Sequence, residues 1–451
     1  MLCRLSTYAE EEWGRAWHMA HADRDLTILG RRAEELHSSR LIITRGDRRK
    51  HLYVLGKSGT GKSALLAQMA KADLLRGEGL CFIDAHGRES DGLLQAVPTW
   101  RKRQVIHWAP GLDKRYPIGW NLIQALPEDD RDLAIASVYD VFEHLYSDFW
   151  GPQTGNILRK VLRALFDIAA IPNIRPPTLL DAYALLVSKR HREWVANLLR
   201  DPITRAYWEH EFNAWSERER TQHIAPLQNK LGMFMDPPLR YVVGQVKSAF
   251  DPRWVIDNRK ILILNLAGLG EEEKNVFASL VITALYSAAL RRDPGEHVPD
   301  FGIYIDEAQK FLTKSITAGL TEARKFNLHF ICATQSVGGS NWRARETLRT
   351  MIDNAGTHIV FRVGAETAKH MHEEFATRKK KVEDFIDLQP FEFLVRSPRN
   401  VDPESGWTYP PVGTNYGNRA RTIRYSRERY GTSVKRVKRK LRRWSDRWLV
   451  N

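Results

Sequence analysis

Short, almost wholly apolar runs recur along this chain. HLYVL (51–55), LCFID (80–84), QVIHW (104–108), ILILNL (261–266), FGIYID (301–306), LHFICA (328–333), HIVFRV (358–363) and EFLVR (392–396) are the clearest. Most lack strict alternation of apolar and polar residues, the pattern of strands buried on both faces of a parallel sheet. Helix-forming stretches separate several of them, at 63–76, 271–291 and 314–326. That alternation predicts an α/β fold, a mostly parallel central sheet wrapped by helices.

The stretch between the third and fourth runs is different. LAIASVYDVFEHLYSDFWG, NILRKVLRALFDIAA and REWVANLLRDPITRAYWEHEF are rich in helix formers and Trp, with prolines as punctuation. The pattern predicts an all-α domain over 127–244, inserted into an ATPase-like domain of 48–126 and 245–415. A helical segment is expected over 1–47, and a basic tail or helix over 416–451. No internal repeat appears.

Chemistry enters at the first strand. HLYVL runs into Gly56-Lys57-Ser58-Gly59-Thr60-Gly61-Lys62-Ser63, which is G-x-x-x-x-G-K-S between a strand and a helix-forming run. Glycines let the backbone curl so that successive N–H groups face an anion, and the following helix adds its positive end. Lys62 is then placed to reach the β- and γ-phosphates, and the Ser63 hydroxyl to ligate Mg²⁺. A Gly-rich loop that binds nothing is the competing reading; the flanking strand and helix argue against it. ATP and Mg²⁺ are the expected ligands.

A second element follows some 240 residues later. FGIYIDEAQKF ends an apolar strand in Asp306 and Glu307. A P-loop ATPase needs one carboxylate there to hold Mg²⁺ and another to act on the attacking water, roles that suit Asp306 and Glu307 in that order. Next, LHFICATQS puts Gln335 at the carboxyl end of a strand, the edge where open α/β sheets bind ligands. Gln335 is placed to sense the γ-phosphate or orient water; an ordinary loop glutamine is the plainer alternative. Arg324, in TEARKFN, is by itself one more surface charge or a finger reaching a neighbouring subunit's nucleotide.

Charge changes the picture at the carboxyl end. The chain carries +15 in all, and residues 416–451 hold 13 Lys and Arg against two Asp and Glu, so this tail accounts for 13 − 2 = +11. A concentrated basic segment is an electrostatic footprint for a polyanion, nucleic acid first. Within it Val434, Val437, Leu441, Trp444 and Trp448 fall on one face of a helix, with Lys435, Arg436, Lys438, Arg439, Lys440, Arg442 and Arg443 around the rest. Docking on its own domain, contact with DNA phosphates and adsorption to a membrane surface all fit this pattern.

The remaining composition excludes some classes. Cys3, Cys81 and Cys332 show no metal-binding spacing and fit a reducing cytosol. The longest apolar stretch, VFASLVITALYSAAL at 276–290, has 15 residues, fewer than the ~20 a membrane span needs. No secretory signal opens the chain. A cytoplasmic protein is expected, with peripheral attachment at the inner face of the membrane left open.

Taken in order, these pieces resemble the FtsK–HerA superfamily of DNA-pumping ATPases. The resemblance is strongest to the soluble part of type IV secretion coupling proteins of the VirD and TraG kind. It rests on HLYVLGKSGTGKS, FIDAHG, NLI at 121–123, the helical insertion, ILILNLAGLGEEE, IDEAQKF, EARKFNL, ATQS and FRVGAET, over roughly 48–435. It implies a RecA-like motor assembled as a ring, expected to be a hexamer, that drives DNA through a central pore in conjugative transfer, largely without regard to sequence. It also implies that Arg324 acts in trans and that Gln335 completes the pocket. Asp84 and His86 occupy the family's Asp-Pro-His-Gly position, with Ala85 in place of Pro, and Arg362 is a second candidate for an interface arginine. A relaxase, nuclease or secretion partner is implied too. HerA-like DNA processing, viral genome packaging, and a nucleotide-switched scaffold remain alternatives. The departures are the lack of transmembrane helices, of an N-terminal β-barrel and of a winged-helix DNA reader.

Overall fold

The computed structural model describes residues 25–33, 39–293, 298–338, 342–377, 379–409 and 416–450. Eleven strands of these residues form one sheet: β1 Leu26–Arg32, β2 Arg40–Thr44, β3 Leu52–Leu55, β4 Gly79–Asp84, β5 Val105–Trp108, β6 Ile261–Asn265, β7 Phe301–Ile305, β8 Leu328–Thr334, β9 Thr357–Val360, β10 Glu392–Ser397 and β11 Asn400–Trp407. Helices of nine or more residues are α1 Lys62–Arg76, α2 Arg88–Ala96, α3 Glu128–Leu145, α4 Pro152–Ala169, α5 Leu179–Val187, α6 Lys189–Leu198, α7 Glu217–Gly232, α8 Glu271–Leu290, α9 Trp342–Asn354, α10 Ala365–Phe375, α11 Arg419–Tyr430 and α12 Val434–Trp448. The chain divides into two compact units, one of residues 1–107, 252–267 and 284–426, the other of 108–251, 268–283 and 427–451.

The first unit carries the sheet, in the order β2-β1-β11-β10-β9-β3-β8-β7-β4-β6-β5. Pairing is parallel from β9 through β3, β8, β7 and β4 to β6. On the other side of β9 it turns antiparallel through β10, β11, β1 and β2. The central strands are fully buried, as their unbroken apolar sequences require. Leu65, Leu66 and Met69 of α1 pack with Val54, Ile263 and Ile331 in the main core.

The described residues ahead of the P-loop correct the expectation of helix there: Leu26–Arg32 and Arg40–Thr44 are β1 and β2, and among the described residues before β3 only Arg45–Arg49 is helical. LTILG and LIIT are short apolar runs that find partners in β11 and in each other. Gly30 is needed because a Cβ there would stand 2.1 Å from the Trp407 carbonyl oxygen. Residues 1–24 lie outside the described part of the chain.

Charged residues fix α1 against the start of β3. Arg48 donates to both oxygens of Asp73 at 2.7 and 2.6 Å, Arg76 adds a bond of 2.8 Å, and the Tyr304 hydroxyl donates to the same carboxylate at 2.5 Å. All four side chains are buried. Burial alone would raise the Asp73 pKa, but the two guanidinium groups and Tyr304 hold it well below the usual carboxylate range. A buried charge with this many partners is strongly destabilising to break. The network sets the far end of α1, and so the angle at which its other end meets the P-loop.

The second unit holds α3 to α7, the 271–283 part of α8, and α12. Trp108 is the centre of one aromatic cluster, 4.9 Å from Phe277, 5.2 Å from Phe250 and 5.7 Å from Trp120. Tyr207, Trp208 and Phe212 make another. α12 lays Val437, Leu441, Trp444 and Trp448 into this unit, 1 to 9 % exposed. The Trp444 indole N–H donates to Asp181 Oδ1 at 2.9 Å, and Trp448 lies 4.6 Å from the His191 ring. Asp181 Oδ2 meanwhile accepts the Thr178 N–H at 2.7 Å and caps α5. Of the three readings of the tail, docking is the one the contacts establish. No helix among the described residues is long and apolar enough to cross a membrane. Cys81 and Cys332 are buried free thiols, their pKa values raised by burial.

Candidate active site

The P-loop spans the gap between β3 and α1, where the sheet's central parallel strands end. The Gly56 N–H donates to the Thr334 carbonyl at 3.2 Å and the Lys57 N–H to the Arg362 carbonyl at 2.9 Å, so the loop is tied to the ends of β8 and β9. Gly59 and Gly61 have φ of +76° and +119°, which L side chains resist, and Gly61 is the N-cap of α1. Gly56 faces a different constraint, since a Cβ there would lie 2.7 Å from Phe361 Cβ and 2.8 Å from Thr60 Oγ1. The Thr60 hydroxyl closes the loop by donating to the Lys57 carbonyl at 2.8 Å. The first turn of α1 points its N–H groups at the space the loop encloses, which makes an anion cradle.

Lys62 is 6 % exposed, and its ammonium donates to the carbonyls of Gly56 at 2.5 Å and Lys57 at 2.9 Å. Burial lowers its pKa, and the charges of Asp306 and Glu307 work the other way. A buried cation held only by carbonyls is suited to an incoming phosphate.

Across the sheet, β7 delivers the two carboxylates. The Ser63 hydroxyl donates to Asp306 Oδ2 at 2.5 Å, joining residues 243 positions apart in sequence. Both are hard oxygen donors, the kind Mg²⁺ prefers. Among the described residues no group of three or more His, Cys, Asp or Glu could hold a metal unaided. A hydroxyl and one carboxylate fit an ion that completes its octahedron with phosphate oxygens and water. Burial raises the Asp306 pKa, against the Ser63 hydrogen bond and the Lys62 charge.

Glu307 sits in a left-handed conformation, φ +58° and ψ +43°. Its carboxylate meets three side chains: Lys310 Nζ at 2.8 Å, Gln335 Nε2 at 3.3 Å and His86 Nε2 at 3.5 Å. Burial would raise its pKa, but Lys310 and His86 bring it below the ordinary value. It is therefore ionised at neutral pH, the state a water-activating base requires. Gln335 is exposed at the end of β8.

Asp84 acts locally. It accepts the N–H groups of His86 at 3.0 Å, Gly87 at 2.7 Å and Ser90 at 2.7 Å, and so builds the turn into α2. That turn carries His86 to Glu307. Asn121 of the NLI segment is buried and donates to the carbonyls of Pro177 and Val246, a structural role.

The structure thus brings together the P-loop, Ser63, Asp306, Glu307 and Gln335. It does not bring Arg324 to them. Arg324 is exposed in a single helical turn at the amino end of β8, and Gln335 follows the carboxyl end. Seven strand residues separate these ends by roughly 20 Å. Arg362, in contrast, lies beside the loop through its carbonyl.

Two neighbours of the site are not among the residues that the sequence pattern singles out. Lys310 is three residues after Glu307, one turn along, and that spacing was the available signal. Phe391 had none: its N–H donates to the Thr60 carbonyl at 2.8 Å, and it adopts φ +72° beside Gly61.

The fold and this constellation belong together. They make a RecA-like P-loop fold. No protein-family model and no curated protein matches the sequence, but solved structures match along most of it. The bacterial conjugative coupling protein TrwBdeltaN70 aligns with TM-score 0.63 at 16 % identity, over 89 % of this chain and 92 % of that one. TrwB in complex with ADP and Mg²⁺ gives 0.62 at 17 %, over 83 and 89 %. VirB4 of Thermoanaerobacter pseudethanolicus gives 0.59 at 15 %, over 86 and 96 %. At these identities the likeness is one of fold.

Proposed function

We propose that this P-loop ATPase is a DNA translocase of the conjugative coupling type, turning over ATP as a ring, of six subunits, and driving DNA through a central pore. The observation that carries the proposal is the Ser63–Asp306 contact, with Glu307 and Gln335 adjoining, on a fold shared over nine-tenths of its length with a coupling protein. In this reading Gly56 to Ser63 cradle the phosphates. Lys62 neutralises charge on the β- and γ-phosphates, and Ser63 and Asp306 hold Mg²⁺, which steadies the developing charge during transfer. Glu307 accepts a proton from the attacking water, and Gln335, bonded to Glu307, orients that water or reads the γ-phosphate. Lys310 and His86 keep Glu307 ionised and aimed.

Arg324 serves a neighbouring subunit. Its exposure, and its place at the far edge of the sheet from its own P-loop, suit a residue that completes another chain's site. We propose the division of labour that follows from this: 48–126 and 245–415 as the motor, 127–244 as the inserted helical domain, 416–451 as a basic extension. A relaxase, nuclease or secretion protein would be the working partner, in the cytoplasm or at the inner face of the membrane.

The test is the steady-state ATPase rate of the purified chain with and without DNA at two salt concentrations. A motor held by phosphate contacts turns over faster with DNA, and the stimulation fades as salt rises. Turnover indifferent to DNA would overturn the translocase reading and favour a nucleotide-switched scaffold.

A further inference from the structure

The helical unit carries a groove of about 880 Å³, one wall made by the loop Gly244–Ala249 and the other by α12. Arg436, Lys440, Arg443 and Arg447 line that wall at spacings of four, three and four, one continuous face of a helix. Each is the neighbour of a buried residue of the apolar stripe Val437, Leu441, Trp444 and Trp448, so docking the stripe is what aims the cations into the groove. Lys247 faces them from the loop. No carboxylate lines the groove, while Gln245, Ser248 and Thr432 add neutral polar groups.

We infer that this groove, on the helical unit, binds the phosphodiester backbone of nucleic acid. It deepens the translocase reading, and it rests on that reading only in choosing nucleic acid among polyanions. Three observations carry it. Like charges gathered in a concave surface repel one another and raise the local concentration of anions. Lys247, Arg436, Lys440 and Arg443 are exposed, and none makes an ion pair with a described acidic residue. The stripe from 436 to 447 extends about 16 Å, enough to follow several phosphates rather than one small anion. A membrane surface fits less well, because a basic amphipathic helix binds lipid through its apolar face. Here that face is already buried against the protein.

The experiment is fluorescence anisotropy of a labelled 30-nucleotide DNA strand with the full-length chain, titrated across salt, for the parent and for Lys247→Ala/Arg436→Ala/Lys440→Ala/Arg443→Ala. Each lost phosphate contact lowers the slope of log K against log salt by about 0.7, so a drop of about 2 to 3 is expected, with binding at least tenfold weaker at ~0.1 M salt. An unchanged slope and affinity would overturn the inference. So would parent protein that binds anionic phospholipid vesicles or polyglutamate through these residues and leaves DNA unbound. Thermal unfolding of the variant checks its fold; if it does not fold, Lys247→Glu, in the loop, makes the same test. The measurement needs no ATP. A chain without turnover that still loses affinity on these substitutions keeps the groove and discards the motor.

Discussion

Glu307 is held in a conformation that costs a non-glycine residue on the order of 1–3 kcal/mol, and strain of this kind collects where a side chain must be aimed. Lys310, Gln335 and His86 surround its carboxylate. Glu307→Gln keeps the shape and removes the base. It should bind ATP as the parent does and turn it over at least ~10²-fold more slowly, as read by nucleotide binding beside steady-state hydrolysis. Arg324 is the contrasting case, since nothing in its own chain's site needs it. Arg324→Ala should lose ~10³-fold or more in rate with ATP binding retained. If the chain forms the proposed ring, mixing this variant with Lys62→Ala subunits should restore part of that rate, because intact P-loops would then face intact arginines. Normal hydrolysis by Arg324→Ala would remove the finger assignment.

Among the elements, α12 depends on a few side chains. Trp444 fills the helical unit and also donates to Asp181, the N3 residue of the capping box that starts α5. Trp444→Ala should cost about 3–5 kcal/mol by chemical denaturation. Trp444→Phe keeps most of the packing but leaves Asp181 Oδ1 without the indole, and should cost about 1–3 kcal/mol. A Trp444→Phe variant as stable as the parent would mean that the hydrogen bond contributes little.

All eight strands expected from apolar runs are present as β3 to β10. They were legible because strands buried on both faces must be apolar throughout. β1, β2 and β11 were not. β1 is broken by Gly30, and β11 carries Asp402, Pro403, Glu404 and Gly406 within NVDPESGW, residues that weaken a strand pattern. These strands exist by pairing with one another and with β10, a long-range fact that local pattern does not contain. The site divides in the same way. The P-loop, Asp306, Glu307 and Gln335 stand at strand ends that the pattern marks. His86 was named by its motif after β4, but its meeting with Glu307, like the approach of Phe391 to Gly61, follows only from the order of strands in the sheet.

For the molecule as a whole, buried histidines set the response to acid. Burial lowers the pKa of His51 to about 4 with help from the Arg324 charge, that of His191 to about 4, and that of His329 to about 3 with help from Arg48. A depressed pKa means that the unfolded chain takes up the proton first. Stability is therefore full above pH ~6.5 and is lost as pH falls from there toward the folded values, on the order of 3 kcal/mol for each group. Urea midpoints at pH 7.5 and 4.5 should show this fall, and His51→Gln should reduce it. Equal midpoints would refute the assignment.

The run from Leu26 to Thr44 has a consequence for anyone cutting the molecule down. β1 covers β11, and β2 covers β1. A fragment begun at β3, where the nucleotide motif invites the cut, would leave β11 with a bare row of amides and carbonyls, the template on which chains add to one another. It would also lack Arg48, stranding the Asp73 carboxylate beside Arg76 alone among its two guanidinium partners. Light scattering of such a fragment should report self-association that the longer chain avoids, through an edge the first strands exist to close.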